Sequence, residues 1–221
     1  MKKTKIDTII FDLDGTLLDT LDDLTASVNH CMVKYGYPAY DHSQVRDMVG
    51  NGIYVLMERA LPGGQNDPFY PASTKDFPEY YKQHMLDQTK PFSGILPMLQ
   101  ALKEHHYKLA IVSNKFDAAV KSLNQDFFSK YISIAIGESP QISKKPAPDT
   151  VLQAMKELQS LPDSCIYVGD SEVDIKTAAN ANIPCISVNW GFKTTEFLKK
   201  HGATDIVSSP KELLNVIYTK S

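Results

Sequence analysis

Apolar positions follow two different rhythms along the chain. The run from Ile6 to Phe11 is short and nearly continuous, and predicts a buried strand. The pattern then turns helical. Leu21, Leu24, Val28 and Met32 recur at helical spacing, and Gly36 is placed to stop that helix. "SQVRDMV" and "IYVLMERAL" predict two further short helices, separated by the "GNG" of Gly50 to Gly52, and the segment from Pro62 reads as a loop. Phe77, Tyr80, Tyr81, His84 and Met85 mark another helix, so residues 18–88 read as purely helical.

After "KPFSGI" the rhythm becomes an alternation. Apolar runs at Lys108 to Val112, Ile132 to Ile136, Cys165 to Val168, Cys185 to Val188 and Asp205 to Val207 each precede a helical pattern. Those helices are predicted to begin near Phe116, Asp149, Val173, Thr195 and Pro210. Repeated strand–helix units with short continuous strands imply an α/β fold, a parallel sheet with helices on both faces. The strand ending at Phe11 belongs to that sheet. The expected organisation is therefore a core of residues 1–17 and 89–221, with a helical insertion, residues 18–88, directly after the first strand.

Composition narrows the picture. The 221 residues suit one large domain or a core with a smaller insertion, and 43% hydrophobic content can fill a core. A net charge of −3 gives no reason to expect nucleic acid as a partner. Cys31, Cys165 and Cys185 are few and unpatterned, which fits a reducing, cytoplasmic setting without disulfides. Cys165 and Cys185 sit beside apolar strand residues and are expected to be buried. The apolar run in "MKKTKIDTIIF" is too short for a signal peptide, and no stretch is long enough to span a membrane.

Ligands of such sheets bind at the carboxyl ends of the strands. The residues expected there are Asp12 and Asp14 after the first strand, Ser113 and Asn114 after "KLAIV", Lys144 and Lys145 after "ISIAI", and Gly169 and Asp170 after "CIYV". Asp12 and Asp14 would share one face of an ideal strand. Two like charges so placed need a metal ion, a shared proton or a carboxylate working as a nucleophile. Oxygen ligands without nearby His or Cys favour Mg²⁺. A lysine and a small hydroxyl suit phosphoryl oxygens, so the set fits phosphoryl transfer, with Asp12 approaching phosphorus and Asp14 as general acid and base.

Four ordered stretches, "DLDGT" (Asp12 to Thr16), "VSN" (Val112 to Asn114), "KKPAPD" (Lys144 to Asp149) and "GDSEVD" (Gly169 to Asp174), resemble the motifs of the haloacid dehalogenase superfamily. The resemblance implies a Rossmann-like core with a helical cap inserted after the first strand. It also implies Asp12 as the nucleophile that forms an aspartyl-phosphate. Asp14 would protonate the leaving oxygen and then activate water. Ser113 would donate to the phosphoryl group, and Lys145 would neutralise charge on nucleophile and phosphate. Asp170 would bind Mg²⁺ beside Asp12 and the backbone carbonyl of Asp14, while Asp174 would orient Lys145 or a water on the metal.

"VGNGIYVLMERAL", "KPFSGI" with "AIVSNK", and "VNWGF" resemble phosphoglycolate phosphatase-like members more closely. Two departures stand out: Ser113 replaces the usual Thr and keeps its hydroxyl, and Asn182 replaces a common Gly at a helix end where a left-handed conformation is expected. The implied enzyme is a Mg²⁺-dependent phosphatase of small phosphomonoesters, with 2-phosphoglycolate as leading substrate. Candidate substrate contacts are Ser113, Asn114, Lys145 and Lys115 in the core and Arg46, Asn51 and Gly52 in the cap. Arg59 and Trp190 could face the site or simply be a solvated charge and core packing. Rival readings are a β-phosphoglucomutase-like mutase, a pyrophosphatase, a nucleotidase, or a regulatory protein on a phosphatase fold. A small phosphorylated metabolite is the expected partner, and the chain is expected to be a monomer or homodimer.

Overall fold

The structure is a computed structural model and describes residues 5–220. The chain begins with β1 (Thr8–Phe11) and a short β2 (Leu18–Asp19). Four helices follow: α1 (Leu21–Lys34), α2 (His42–Met48), α3 (Ile53–Ala60) and α4 (Tyr70–His84). After β3 (Lys90–Pro91) come α5 (Ile95–Glu104), β4 (Lys108–Phe116), α6 (Asp117–Leu123) and β5 (Ile134–Glu138). The chain continues through α7 (Asp149–Glu157), β6 (Cys165–Gly169), α8 (Glu172–Asn180) and β7 (Cys185–Val188). It closes with α9 (Thr195–Lys200), β8 (Asp205–Val207) and α10 (Pro210–Lys220).

Six strands form one parallel sheet in the order β5-β4-β1-β6-β7-β8. The fold is α/β and Rossmann-like, as the alternating rhythm implied. β1 lies in the middle, with Thr8 in register with both Lys108 and Cys165. Ile9, Ile10 and Phe11 are fully buried, each gaining about 1.5–3 kcal/mol by leaving water. The chain runs outward on one side of β1 through β4 and β5, and on the other through β6, β7 and β8. That reversal makes the carboxyl ends of β1, β4 and β6 the crevice of the fold.

The chain divides into two compact units, one built on the sheet and the other spanning Leu18–Lys90. In the second unit, α1 packs chiefly on α4. Leu24, Val28, Cys31 and Met32 of α1, together with Phe77 and Tyr81 of α4, are buried. Asp41 and Gln44 start α2 with a reciprocal cap: the Asp41 side chain accepts from Gln44 N, and Gln44 Oε1 accepts from Asp41 N, both at 2.9 Å. Residues 18–88 are not purely helical, because β2 pairs with β3 in a two-stranded ribbon. A two-residue strand is too short to leave a periodicity.

Other sequence expectations need correction. β4 does not stop at Val112 but runs to Phe116, with its register to β5 shifting between those two residues. The polar "SNK" therefore lies inside a strand, where alternation could not reveal it. α4 begins at Tyr70, earlier than the aromatic cluster suggested, and α5 adds a helix that the apolar pattern had not marked. Cys185 is only half-buried, unlike Cys165. Asn182 does adopt the left-handed conformation, at φ 56°.

Candidate active site

Strand ends at the middle of the sheet deliver the polar groups. The turn after β1 carries Asp12 and Asp14 and bends at Gly15, whose φ of +83° disfavours a side chain. A Cβ there would lie 2.3 Å from Asp170 Oδ2. Gly191, in the loop after β7, is equally confined, since its Cβ would meet Gly15 O at 2.2 Å. These two glycines let the backbone close tightly around Asp170. That carboxylate accepts from Phe192 N through Oδ2 at 2.7 Å. Trp190 is half-buried and its indole donates to Thr16 O at 3.0 Å, so it pins the turn after β1.

Lys145 is the hub of the site. It is 4% exposed, and its Nζ donates to Asp12 Oδ1 (2.6 Å), Asp174 Oδ1 (2.8 Å) and Tyr167 Oη (3.0 Å). Asp174 sits in the first turn of α8, and its Oδ2 accepts from Ser171 N (3.1 Å) and Ser171 Oγ (2.6 Å). One oxygen of this carboxylate thus caps α8 while the other holds Lys145. Asn114 Nδ2 donates to Lys145 O at 3.0 Å, tying β4 to the lysine's loop. Ser113 is buried, and its Oγ accepts from Lys115 N at 3.2 Å.

Asp12, Asp170 and Asp174 each place an oxygen within 4.8 Å of the others, and all are buried. Burial pushes the Asp12 carboxyl up to about 7, against the pull of Lys145 and with the added repulsion of Asp174. Burial, then the charges of Asp12 and Asp174, push Asp170 well above the ordinary carboxylate range. For Lys145, burial acts downward, but Asp12 and Asp174 outweigh it and hold the ammonium above its usual range. Three clustered carboxylates against one contacting ammonium leave unbalanced negative charge among hard oxygen donors. This donor set fits a small divalent cation such as Mg²⁺.

Asp14 points elsewhere. Its carboxylate pairs with Lys115 Nζ at 2.7 Å, and both side chains are largely buried. Its side chain is therefore not part of the acidic cluster; the turn also carries its backbone carbonyl. Lys115, expected as a substrate contact, is here the partner of Asp14. Arg46, Asn51 and Gly52 belong to the helical unit. Gly50 and Gly52 flank Asn51 with φ of +118° and +80°, and Gly52 caps α3. Arg59 donates to Met48 O at 2.7 Å and so closes the end of α2. Sequence reasoning missed Tyr167, Ser171 and the Phe192 N–H. Tyr167 carried one faint signal, a hydroxyl within the otherwise apolar "CIYV".

Residues 9–188 match the model of the haloacid dehalogenase-like hydrolase family. A phosphoglycolate phosphatase of Colwellia psychrerythraea is 30% identical over 97% of this chain and 98% of its own. An N-acetylmuramic acid 6-phosphate phosphatase of Pseudomonas aeruginosa is 27% identical over 98% of this chain and 97% of its own. Among solved structures, a candidate phosphoglycolate phosphatase from Lactobacillus delbrueckii subsp. bulgaricus superposes with a TM-score of 0.93. It is 35% identical, with 97% of this chain and 99% of that chain covered.

Proposed function

The chain belongs to the haloacid dehalogenase-like hydrolases and is a phosphoric monoester hydrolase of the phosphoglycolate phosphatase-like subgroup; from that premise we propose that it hydrolyses 2-phosphoglycolate through an aspartyl-phosphate on Asp12. The observation that carries the chemistry is the buried Lys145–Asp12 pair inside an acidic cluster at the carboxyl edge of β1. In the first step an Asp12 oxygen attacks phosphorus, the ester P–O bond breaks, and Asp14 gives its proton to the leaving glycolate oxygen. In the second, Asp14 takes a proton from water, the water oxygen attacks phosphorus, and inorganic phosphate leaves with Asp12 restored. Lys145 holds the Asp12 carboxylate and offsets charge as it builds. The Ser113 hydroxyl donates to a phosphoryl oxygen. Lys115 fixes the direction of the Asp14 carboxylate.

Asp12, Asp170 and the Asp14 backbone carbonyl would hold Mg²⁺, which when bound supplies charge neutralisation for the phosphoryl oxygens. Asp174 already accepts from Lys145, Tyr167 and Ser171, which supports its use as a holder of Lys145. The helical unit, Leu18–Lys90, is read as the cap, with Arg46, Asn51 and Gly52 as its substrate-reading residues and flanking hinges near Leu17–Leu18 and Pro91–Gly94. The substrate reading is supported by the phosphoglycolate phosphatases among the relatives.

One observation weighs against a mutase. β-Phosphoglucomutase-like enzymes tend to carry an acid where Gly169 stands. Here a Cβ at that position would lie 2.3 Å from Asp174 Cγ. Phosphate release should be measured with and without Mg²⁺ on 2-phosphoglycolate, N-acetylmuramic acid 6-phosphate, a hexose phosphate, pyrophosphate and a nucleotide. The highest kcat/KM is expected for 2-phosphoglycolate, with Mg²⁺ required. A clear preference for another ester overturns the substrate. Interconversion of hexose phosphates with little release, or no turnover at all, overturns the phosphatase.

A further inference from the structure

We infer that Tyr167 is a positioning residue for the reaction: its hydroxyl is the third fixed point that aims the Lys145 ammonium at the nucleophile Asp12. The inference rests on the phosphatase reading above and concerns the residues beneath the reacting atoms. Tyr167 lies in β6 with no exposed surface. Its Oη accepts from Lys145 Nζ at 3.0 Å and donates to Asp174 Oδ1 at 2.9 Å. Burial, and then the charge of Asp174, raise this phenol well above its ordinary range, so it stays protonated and keeps that donor.

A lysine ammonium has three protons and no acceptor capacity. Here all three have protein acceptors: Asp12 Oδ1 at 2.6 Å, Asp174 Oδ1 at 2.8 Å and Tyr167 Oη at 3.0 Å. Two carboxylates alone would hold the charge but leave the third N–H of a buried ammonium without an acceptor. The phenol oxygen supplies it. It also links Asp174 to Lys145 a second time, closing a ring of three side chains from the loop before α7, from β6 and from α8. A tyrosine that merely filled space would gain nothing from this ring, and phenylalanine would serve as well. The hydroxyl also sets a division of labour. With every N–H committed to the protein, Lys145 works on the phosphoryl group mainly by keeping Asp12 ionised and in line, and Ser113 is left to donate to the phosphoryl oxygens.

The test is a double-mutant cycle on the full chain with Mg²⁺, using p-nitrophenyl phosphate and comparing Y167F, K145M and the double variant. Y167F is expected to lower kcat about tenfold, as loss of such supporting partners commonly does, with KM nearly unchanged. In the K145M background the same change should have little further effect, because a residue acting through Lys145 has nothing left to aim. Wild-type kcat in Y167F, or an equal fall with and without Lys145, overturns the assignment. A readout independent of turnover is the side-chain ¹⁵N–¹H signal of the Lys145 ammonium, identified by its loss in K145M. It should be visible and slow to exchange in the wild type, and broadened or lost in Y167F. A wild-type ammonium that exchanges freely, or one unchanged in Y167F, overturns the inference. If Y167F does not fold, the wild-type signal alone decides between the two. If the wild type hydrolyses no phosphomonoester, the phosphatase reading fails, while the ammonium signal still reports on the contact itself.

Discussion

Both units bury carboxylates, and they do so on opposite terms. In the helical unit Asp23 is 2% exposed and accepts from the N–H groups of Gln88 (3.0 Å) and Thr89 (2.9 Å). Asp67 in the same unit accepts from the N–H groups of Phe69 and Gly63 and from the Tyr37 hydroxyl. Burial acts upward on Asp67, but those three donors outweigh it and leave its carboxyl below the ordinary range. In the sheet unit Asp12 and Asp170 crowd together with Asp174, and burial pushes both upward. A carboxylate met by fixed dipoles is complete and holds structure. Asp12 has the Lys145 ammonium but stands against two further carboxylates, and such a cluster asks for a further cation or a proton. The contrast separates architecture from chemistry without reference to any motif.

The largest test of that contrast is Asp12→Asn. Turnover should fall by on the order of 10⁴-fold or more, since an amide cannot form the acyl-phosphate. The melting temperature should stay within about 5 °C, because one of the mutually repelling charges is gone. Activity near that of the wild type would show that Asp12 is not the nucleophile.

The second test uses pH and metal. A carboxyl whose folded pKa lies above its unfolded value binds more protons in the folded state between the two. Metal-free stability should therefore fall as pH rises from about 4, the unfolded value, toward the value of about 7 for Asp12. Mg²⁺ should raise the melting temperature more at pH 8 than at pH 5.5, because at the lower pH it must displace protons. Thermal melts with Mg²⁺ and with excess chelator measure this. An increment that does not grow with pH, or full activity in chelator, removes the case for a metal at the cluster.

The third inverts the first. Asp23→Ala strands two buried N–H groups and should cost about 1–3 kcal/mol in urea unfolding, with little change in kcat. If Asp23→Ala leaves stability intact while Asp12→Asn unfolds the protein, the two kinds of buried carboxylate have been assigned the wrong way round. The smallest effects are expected in the helical unit. Arg46→Ala and Asn51→Ala should shift the ratio of kcat/KM for 2-phosphoglycolate to that for p-nitrophenyl phosphate by about two- to fivefold, the scale of a solvated charge contact. Equal effects on both substrates would remove these residues from substrate reading.

The sheet was legible because its strands are continuous apolar runs separated by helical periodicity, a local signal. Among the candidate groups, Asp12 and Asp170 could be placed at one edge because parallel strands present their carboxyl ends together. What stayed hidden depends on partners distant in the chain. Tyr167 reads as one more large residue in a buried strand until Lys145 and Asp174 are seen against its hydroxyl. The two-residue spacing of Asp12 and Asp14 puts both on one face of an ideal strand, but Gly15 turns the backbone there and Lys115 pairs with the Asp14 carboxylate. β2 and the extension of β4 escaped because they are defined by pairing rather than by composition.

The central place of β1 also sets an order in time. A ribosome delivers β1 first, yet its two hydrogen-bonded neighbours begin at Lys108 and Cys165. The whole of Leu18–Lys90, a compact unit in the folded chain, emerges in between. Until Cys165 to Gly169 leave the exit tunnel, the strand that leads into Asp12 has an open edge, a template for mispairing with other chains. Synthesis stalled ahead of that segment should therefore yield chains that aggregate, whereas a stall late enough for Cys165 to Gly169 to clear the tunnel should leave β1 paired on both sides.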